Sequence, residues 1–113
     1  MLTFDVLDIT VTRGITYEQE FRLYDAGYAP IPVNNVRSWN AAIYATDAID
    51  GLVLATMAVS VIDDVDTTVL VSMPENTTLT LTGGRPAGYW YFWYVDDTTG
   101  IRMPIKKGKV NVE

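Results

Sequence analysis

The sequence predicts an all-β fold, and three features of the chain support this prediction. Apolar residues alternate with polar ones at a period of two in several short runs, which is the spacing of a strand with one buried face. Turn-forming residues separate these runs at short intervals. Several of the runs are also rich in β-branched and aromatic residues. Strands at this spacing predict an antiparallel sandwich or barrel, built as a single domain over residues 1–113.

The amino-terminal segment "MLTFDVLDIT" is the least regular of the predicted strands. Its alternation breaks near Leu7, which indicates a β-bulge or a switch of the strand between sheets. Asp5 and Asp8 stand where a signal peptide has basic residues and then an unbroken apolar run, so we do not expect this segment to direct secretion. The sequence leaves open whether the strand pairs within its own sheet or with a neighbouring subunit.

Regular strands are expected in the first half of the chain. In "YEQEFRLYD", Tyr17 and Phe21 alternate with charged residues, and "VRSWNAAIYAT" alternates in the same way. The run "AAIYATDAIDGLVLATMAV" contains many helix-forming residues. Asp50-Gly51 is nevertheless a strong two-residue turn signal between two alternating runs, so this segment is expected to form a hairpin.

The second half predicts further strands and one short helical turn. The runs "TTVLVSM" and "KVNVE" are rich in β-branched residues and are expected to be strands. In "MPENTTL", Pro74 is tolerated in a first helical turn and Glu75 is favoured there by the helix dipole. We therefore expect at most one short helical turn, near 74–78.

Six aromatic residues follow one another from Tyr89 to Tyr94. In a strand, successive side chains point to opposite faces. One face then carries Tyr89, Tyr91, Trp93 and Val95, and the other carries Trp90, Phe92 and Tyr94. Both faces are large and apolar, so both need cover.

In a sandwich, one face of this aromatic strand meets the core, and the second face is where function is expected. An uncovered second face is an apolar patch large enough to mark an interaction site. Its cover is a long loop of the same chain, another protein, or a sugar that stacks on the rings. Tyr and Trp give large, stiff and partly polar contacts that suit protein interfaces. We predict a protein interface that includes Trp90, Phe92 and Tyr94.

The charge of the chain is unevenly distributed. The net charge is −6, but residues 102–113 carry +3 and the remainder carries −9. An acidic body repels phosphate backbones, so nucleic-acid binding is not expected. The basic segment suits either an edge strand protected by lysines or a contact with an acidic neighbour, including a second copy of the chain. Its cations complete the predicted interface and are Arg102, Lys106, Lys107 and Lys109.

Catalytic and metal chemistry are not expected. The chain has no His and no Cys, so the common pairs of nucleophile and base, disulfides and zinc sites are not available to it. Its carboxylates occur mainly in turn-like positions, where Asp bonds to the local backbone. The cluster "IDDVD" lacks the spacing and glycine of a calcium loop. No run of about 20 apolar residues predicts a membrane span, and we predict no cofactor, no metal and no enzyme.

Several steps along the chain also suggest a family. They are Arg13-Gly14 before an alternating strand, the turn Asp25…Gly27…Pro30, "PENT" at 74–77, Gly88-Tyr89 at the start of the aromatic strand, the turn Asp96…Gly100, and the final "GKVNV". In this order they resemble small β-sandwich domains of tailed-bacteriophage virions, in particular the amino-terminal domain of baseplate upper proteins. The resemblance covers nearly the whole chain.

The resemblance implies an antiparallel immunoglobulin-like β-sandwich of about seven to nine strands. It also implies a non-enzymatic virion protein, assembled in the host cytoplasm, that binds other virion proteins and copies of itself. The expected role is an adaptor in the tail, neck or baseplate that helps to attach fibres or spikes. A capsid decoration protein and a carbohydrate-binding module that stacks glycans on Tyr and Trp are the alternatives.

Overall fold

A computed structural model describes residues 4–25 and 27–113, and these residues are nearly all β-structure. The strands are β1 (Asp5–Val6), β2 (Ile9–Val11), β3 (Tyr17–Arg22), β4 (Val36–Tyr44), β5 (Val53–Asp63), β6 (Thr68–Met73), β7 (Gly84–Asp96) and β8 (Arg102–Val112). Helical structure in these ranges is limited to a 3-10 turn (Val33–Asn35) and a short helix, α1 (Glu75–Thr78). The predicted all-β class is confirmed, and α1 lies where the sequence predicts a helical turn. Neither helical segment has the length or apolar character needed to cross a membrane.

The strands pair into one curled sheet of mixed direction. Their order is β1-β8-β7-β4-β5-β6-β3. Strand β2 pairs with the same edge of β8 as β1 does, but nearer the end of β8. The pairs β1–β8 and β2–β8 are parallel, and the others are antiparallel. The prediction of a wholly antiparallel arrangement is therefore wrong at this edge. The amino-terminal segment runs in the same direction as β8, and the turn at 12–16 then carries the chain to the start of β3.

Strand β5 connects the two layers of the sheet. Its first half pairs with β4, from Val53 to Met57, and its second half pairs with β6, from Ala58 to Asp63. One long strand therefore carries the sheet around from one layer to the other, and the result is a mixed half-barrel. The all-β class holds, while this pairing does not confirm an antiparallel immunoglobulin-like sandwich.

The predicted hairpin between β4 and β5 is present, but its connection is longer than expected. The pairing closes at Tyr44 and Val53, so residues 45–52 form a loop and not a two-residue turn. The Gly51 N–H donates to the Ala48 carbonyl at 2.9 Å, which places the expected turn inside that loop. The loop folds back over the sheet and becomes part of the surface described below.

The core fills the concave side of the half-barrel. Trp90 and Phe92 of β7 are fully buried there, together with Met73 of β6. The ring of Phe21, on β3, lies with its centroid 6.0 Å from that of Trp90 and 5.8 Å from that of Phe92. The two layers therefore meet at these aromatic rings, which place the aromatic strand at the centre of the fold.

The amino-terminal segment is fixed to the edge of the sheet at Leu7, between β1 and β2. The Leu7 N–H donates to the Lys107 carbonyl at 2.7 Å, and the Leu7 carbonyl accepts from the Trp90 indole N–H at 2.7 Å. The break in alternation near Leu7 therefore marks an interruption between two strands that pair with the same neighbour, β8. The segment pairs within its own chain from Asp5 onward. Residues 1–3 of the predicted terminal strand, and Ala26 of the predicted turn at 25–27, lie outside the described residues.

Candidate interaction surface

The inner face of the aromatic strand is part of the core. Trp90 and Phe92 have no exposed surface, and Tyr94 is half-buried against Trp39, with ring centroids 5.7 Å apart. The layer of β3 and β6 covers this side of β7, so Trp90 and Phe92 cannot touch a partner while the chain is folded. We therefore place the candidate interface on the opposite face of the strand.

The opposite face of β7 carries a second, smaller apolar cluster. Ala42 and Tyr44 of β4 are buried against Tyr91 there. The rings of Tyr44 and Tyr91 meet edge to face at 5.7 Å, an arrangement that aromatic pairs prefer. Tyr89 and Trp93 flank Tyr91 on the same strand and are half-buried. We call the surface formed by Tyr44, Tyr89, Tyr91 and Trp93 the outer aromatic face.

Two segments of the same chain cover the middle of the outer aromatic face. Phe4 places its ring edge-to-face on Tyr91 at 5.2 Å, and Ile49 of the loop at 45–52 packs against the same cluster. The Tyr91 hydroxyl donates a hydrogen bond to the Asp47 carboxylate in that loop. Tyr91 is only 6% exposed as a result. The sequence leaves three possibilities for what covers this face: a loop of the same chain, another protein, or a sugar. Over Tyr91, the structure shows the loop of the same chain.

The predicted basic residues border this face, and most of them make contacts within the chain. The Arg102 guanidinium lies 5.7 Å from the centroid of the Trp93 ring and 3.3 Å from the Asp50 carboxylate. The Lys107 ammonium lies 5.8 Å from the centroid of the Tyr91 ring. These are cation–π contacts of the kind that hold a cation over an aromatic face. They fix the cations beside the outer aromatic face.

The two remaining cations lie nearer the edge formed by β1. Lys106 pairs with Asp5 at 3.2 Å. The Lys109 backbone N–H donates to the Asp8 carboxylate at 2.8 Å, while the Lys109 side chain is exposed. Exposed ion pairs contribute about 0–1 kcal/mol each, so a partner can exchange its own carboxylates for those of Asp5 or Asp50 at little cost.

Burial favours the neutral form of the central tyrosine. Burial raises the pKa of Tyr91 to about 12, and the hydrogen bond to Asp47 and its negative charge act in the same direction. The neutral hydroxyl is the form that donates to the Asp47 carboxylate. Tyr91 therefore holds the loop at 45–52 in place at neutral pH.

The stability of the chain is expected to fall between pH 10 and pH 12, in part because of Tyr91. Its pKa is raised on folding, so its contribution is fully present below pH 10 and is lost as the pH rises through about 12. Over this interval, the free energy of unfolding of Tyr91→Phe is expected to fall by about 1 to 2 kcal/mol less than that of the wild type. Urea unfolding at a series of pH values measures the difference, with the exposed Tyr28→Phe as the matched control. An identical pH profile in wild type and Tyr91→Phe would contradict the buried hydrogen bond.

The acidic cluster at 63–66 is a turn. The Asp63 carboxylate accepts from the backbone N–H groups of Val65 and Asp66, at 2.9 and 3.2 Å. This is the local bonding expected of Asp in a turn. Within residues 4–25 and 27–113, three or more His, Cys, Asp or Glu side chains nowhere gather in a way that would hold a metal ion.

Sequence reasoning misses the residues that cover the outer aromatic face. Phe4 and Ile49 belong to segments whose contact with β7 depends on the path of the whole chain. Asp47 is the one residue of this cover that the sequence could have indicated. An acid that interrupts an apolar run needs either solvent or a polar partner. Its partner, Tyr91, is far away in the sequence and is not indicated by any local pattern.

No protein-family model matches the chain, and no curated protein matches it either.

Proposed function

We propose that this chain is a non-enzymatic structural protein of a tailed-bacteriophage virion. Its role is that of an interaction module in the tail, neck or baseplate that helps to attach fibres or spikes. The observation that carries the proposal is the border of the outer aromatic face, where Tyr89 and Trp93 stay half-buried while Phe4 and the loop at 45–52 cover Tyr91. Half-buried Tyr and Trp beside exposed cations are the side chains that favour protein contacts.

The order of the strands supports the immunoglobulin-like part of the proposal. In such a sandwich, strands B, E and D are neighbours in one sheet, and C, F and G are neighbours in the other. Here β3, β6 and the second half of β5 stand in the order B-E-D, and β4, β7 and β8 stand in the order C-F-G. We propose an immunoglobulin-like sandwich whose two sheets are joined along β5. The same fold is implied by the resemblance to virion domains.

The partner at the outer aromatic face is another virion protein with an acidic contact surface. Trp93 and Tyr89 offer half-buried rings, and Lys109 offers an exposed cation on the same face. An acidic partner is complementary to this border and is repelled by the rest of the chain, which fixes its orientation. Capsid decoration uses the same kind of contact and differs in the position of the chain within the particle.

A sugar-binding role is supported less well. Stacking of a sugar needs a free aromatic face with polar groups beside it. Arg102 occupies the space over the Trp93 ring, and Tyr91 is 6% exposed. The rings that the sequence suggests for stacking are therefore already in contact with their own chain.

We expect the chain to be a stoichiometric component of virus particles. Particles are grown from the genome that encodes the chain, purified on a density gradient, and separated into heads and tails for quantitative mass spectrometry. Several copies for each tail are expected in the tail fraction. Recovery in the head fraction would identify a decoration protein, and recovery solely in the particle-free lysate would contradict a structural role.

A matched pair of variants tests the contact surface in the same experiment. Lys109→Glu reverses an exposed charge beside the outer aromatic face, and Glu20→Lys reverses an exposed charge in the middle of β3, in the other layer. We expect the first change to lower the copy number in particles several-fold and the second to leave it unchanged. Equal incorporation of both variants would place the contact elsewhere on the chain.

A further inference from the structure

Exposed apolar side chains gather at the two ends of the half-barrel. The eleven residues of β8 span about 36 Å, so the 38 Å axis of the chain follows the strands. The loops that follow β3, β5 and β7 meet at one end, which we call the loop end. The turn at 12–16, helix α1 and the start of β5 meet at the other, which we call the turn end.

The loop end presents an apolar side chain from each of its three loops. The exposed fractions are 47% for Tyr24, 87% for Tyr28, 78% for Val65 and 58% for Ile101. Backbone hydrogen bonds join the loops, from the Leu23 N–H to the Thr67 carbonyl at 3.0 Å and from the Asp97 N–H to the Asn35 carbonyl at 2.8 Å. The exposed side chains therefore stand on a firmly connected surface.

The turn end also presents several aliphatic side chains. They are Ile15, Leu52, Val53, Leu54 and Leu79, and each is at least 40% exposed. The Thr78 hydroxyl links the segments here, since it accepts from the Gly14 N–H at 3.0 Å and donates to the Ile15 carbonyl at 3.1 Å. A shallow hollow of about 80 Å³ lies beside Leu54. This end is therefore an apolar surface with a depression.

The sides of the half-barrel differ from its ends. Among the other large apolar side chains exposed within residues 4–25 and 27–113, Val61 and Ile62 lie on β5 within two residues of the loop end, and Val6 lies farther along the sheet, opposite Lys107. Single exposed apolar residues are ordinary on a protein surface, whereas groups of them mark contact sites. Two such groups at opposite ends of one molecule favour contacts along its long axis.

The charges of the two ends select the partner. Six aspartates lie at the loop end, and they are Asp25, Asp63, Asp64, Asp66, Asp96 and Asp97. Three cations lie at the same end, Arg22, Arg37 and Arg102, of which Arg37 pairs with Asp97, so six negative and three positive charges leave the loop end at −3. The turn end carries Arg13 and Arg85, balanced by Glu75 and Glu113. Contact between two loop ends would oppose aspartates to aspartates, which is repulsive, while contact of a loop end with a turn end brings Arg13 toward them. We propose that copies of this chain associate end to end, the loop end of one copy on the turn end of the next.

The size and symmetry of this contact determine how it would appear in solution. The end is about 27 by 20 Å, which corresponds to about 1,000 Å² buried in both partners, the lower bound for a specific interface. The contact is therefore weak between two free copies. It joins different surfaces, so repetition produces a ring or an open stack. The inference holds whether or not the chain belongs to a virion, and its failure would leave the outer aromatic face unaffected.

Sedimentation velocity over a concentration series up to the millimolar range tests the contact. The loop-end variant combines Tyr28→Asn, which suits the left-handed backbone at that residue (φ 63°), with Val65→Thr. The turn-end variant combines Leu52→Ser with Leu79→Gln. Val6→Thr is the matched control on the side of the molecule. We expect the wild type and the control to associate, and each end variant to lose at least about tenfold in association constant, with unchanged thermal unfolding.

Mixing the two end variants distinguishes this contact from the alternatives. Each variant retains the end that the other lacks, so an equimolar mixture is expected to form a one-to-one dimer that neither variant forms alone. Three results would overturn the proposal. They are a wild type that stays monomeric throughout the series, a mixture that stays monomeric, and a loop-end variant that still associates as the wild type does.

Discussion

The Gly108→Ala variant is expected to unfold far more easily than the wild type, by about 3 kcal/mol. A Cβ atom at residue 108 would lie 2.1 Å from the Leu7 carbonyl oxygen and 2.5 Å from its carbon. Both atoms belong to the backbone, so no side-chain rotation relieves the overlap. The amino-terminal segment must move away from β8, and the hydrogen bond from Trp90 to Leu7 is then lost.

Urea unfolding of Gly108→Ala and Gly83→Ala measures this effect against a matched control. The nearest atom to a Cβ at residue 83 is the Val112 carbonyl oxygen at 3.6 Å, an ordinary contact. Gly83→Ala is therefore expected to stay within about 0.5 kcal/mol of the wild type. If both variants were equally stable, the amino-terminal segment would not cross Gly108, and its pairing within the chain would be wrong.

Phe92→Ala is expected to lower the free energy of unfolding by about 4 kcal/mol, because it empties the centre of the core. The Phe92 ring is fully buried, with the rings of Phe21 and Trp39 at 5.8 and 6.5 Å. The neighbouring rings cannot move far into the empty space, because their strands are held by backbone pairing. Phe21 lies on β3, which pairs with β6, and Trp39 lies on β4, which pairs with β7. Calorimetry or urea unfolding at neutral pH measures the loss.

The neighbouring residue supplies the control for this prediction. Trp93 follows Phe92 in the same strand but is half-buried on the outer aromatic face. Trp93→Ala removes the larger side chain, but we expect it to lower the free energy of unfolding by only about 1 kcal/mol, because solvent already reaches the site. A larger loss in Trp93→Ala than in Phe92→Ala would reverse the inner and outer faces of β7.

Local patterns in the sequence predict the strands but not which face of the aromatic strand is inside. Alternation correctly separates Trp90 and Phe92 from Tyr91 and Trp93, yet both sets are aromatic and neither is marked as the core. The neighbouring strand β8 does not mark it either, since it places Lys106 opposite Phe92 and Lys107 opposite Tyr91. The distinction comes from the other layer, in which Phe21 of β3 packs on Trp90 and Phe92. That packing joins distant strands, and a period of two within one strand does not specify it.

The parts of the fold that sequence reasoning misses depend on distant segments of the chain. The parallel pairing of β1 and β2 with β8 joins residues from the two ends of the sequence. The transfer of β5 from β4 to β6 occurs between Met57 and Ala58, where no turn signal stands. The contact of Asp47 with Tyr91 likewise spans the sheet. Composition and local alternation carry no information on such contacts.

Cryo-electron microscopy of the assembled particle is the most direct test of the proposal that this chain is an interaction module of a virion. The predicted result is several copies of the chain in the tail, neck or baseplate, each with another virion protein against Trp93, Tyr89 and Lys109. A particle that lacks the chain would contradict the proposed function. A chain bound with the outer aromatic face turned to solvent would contradict the proposed surface.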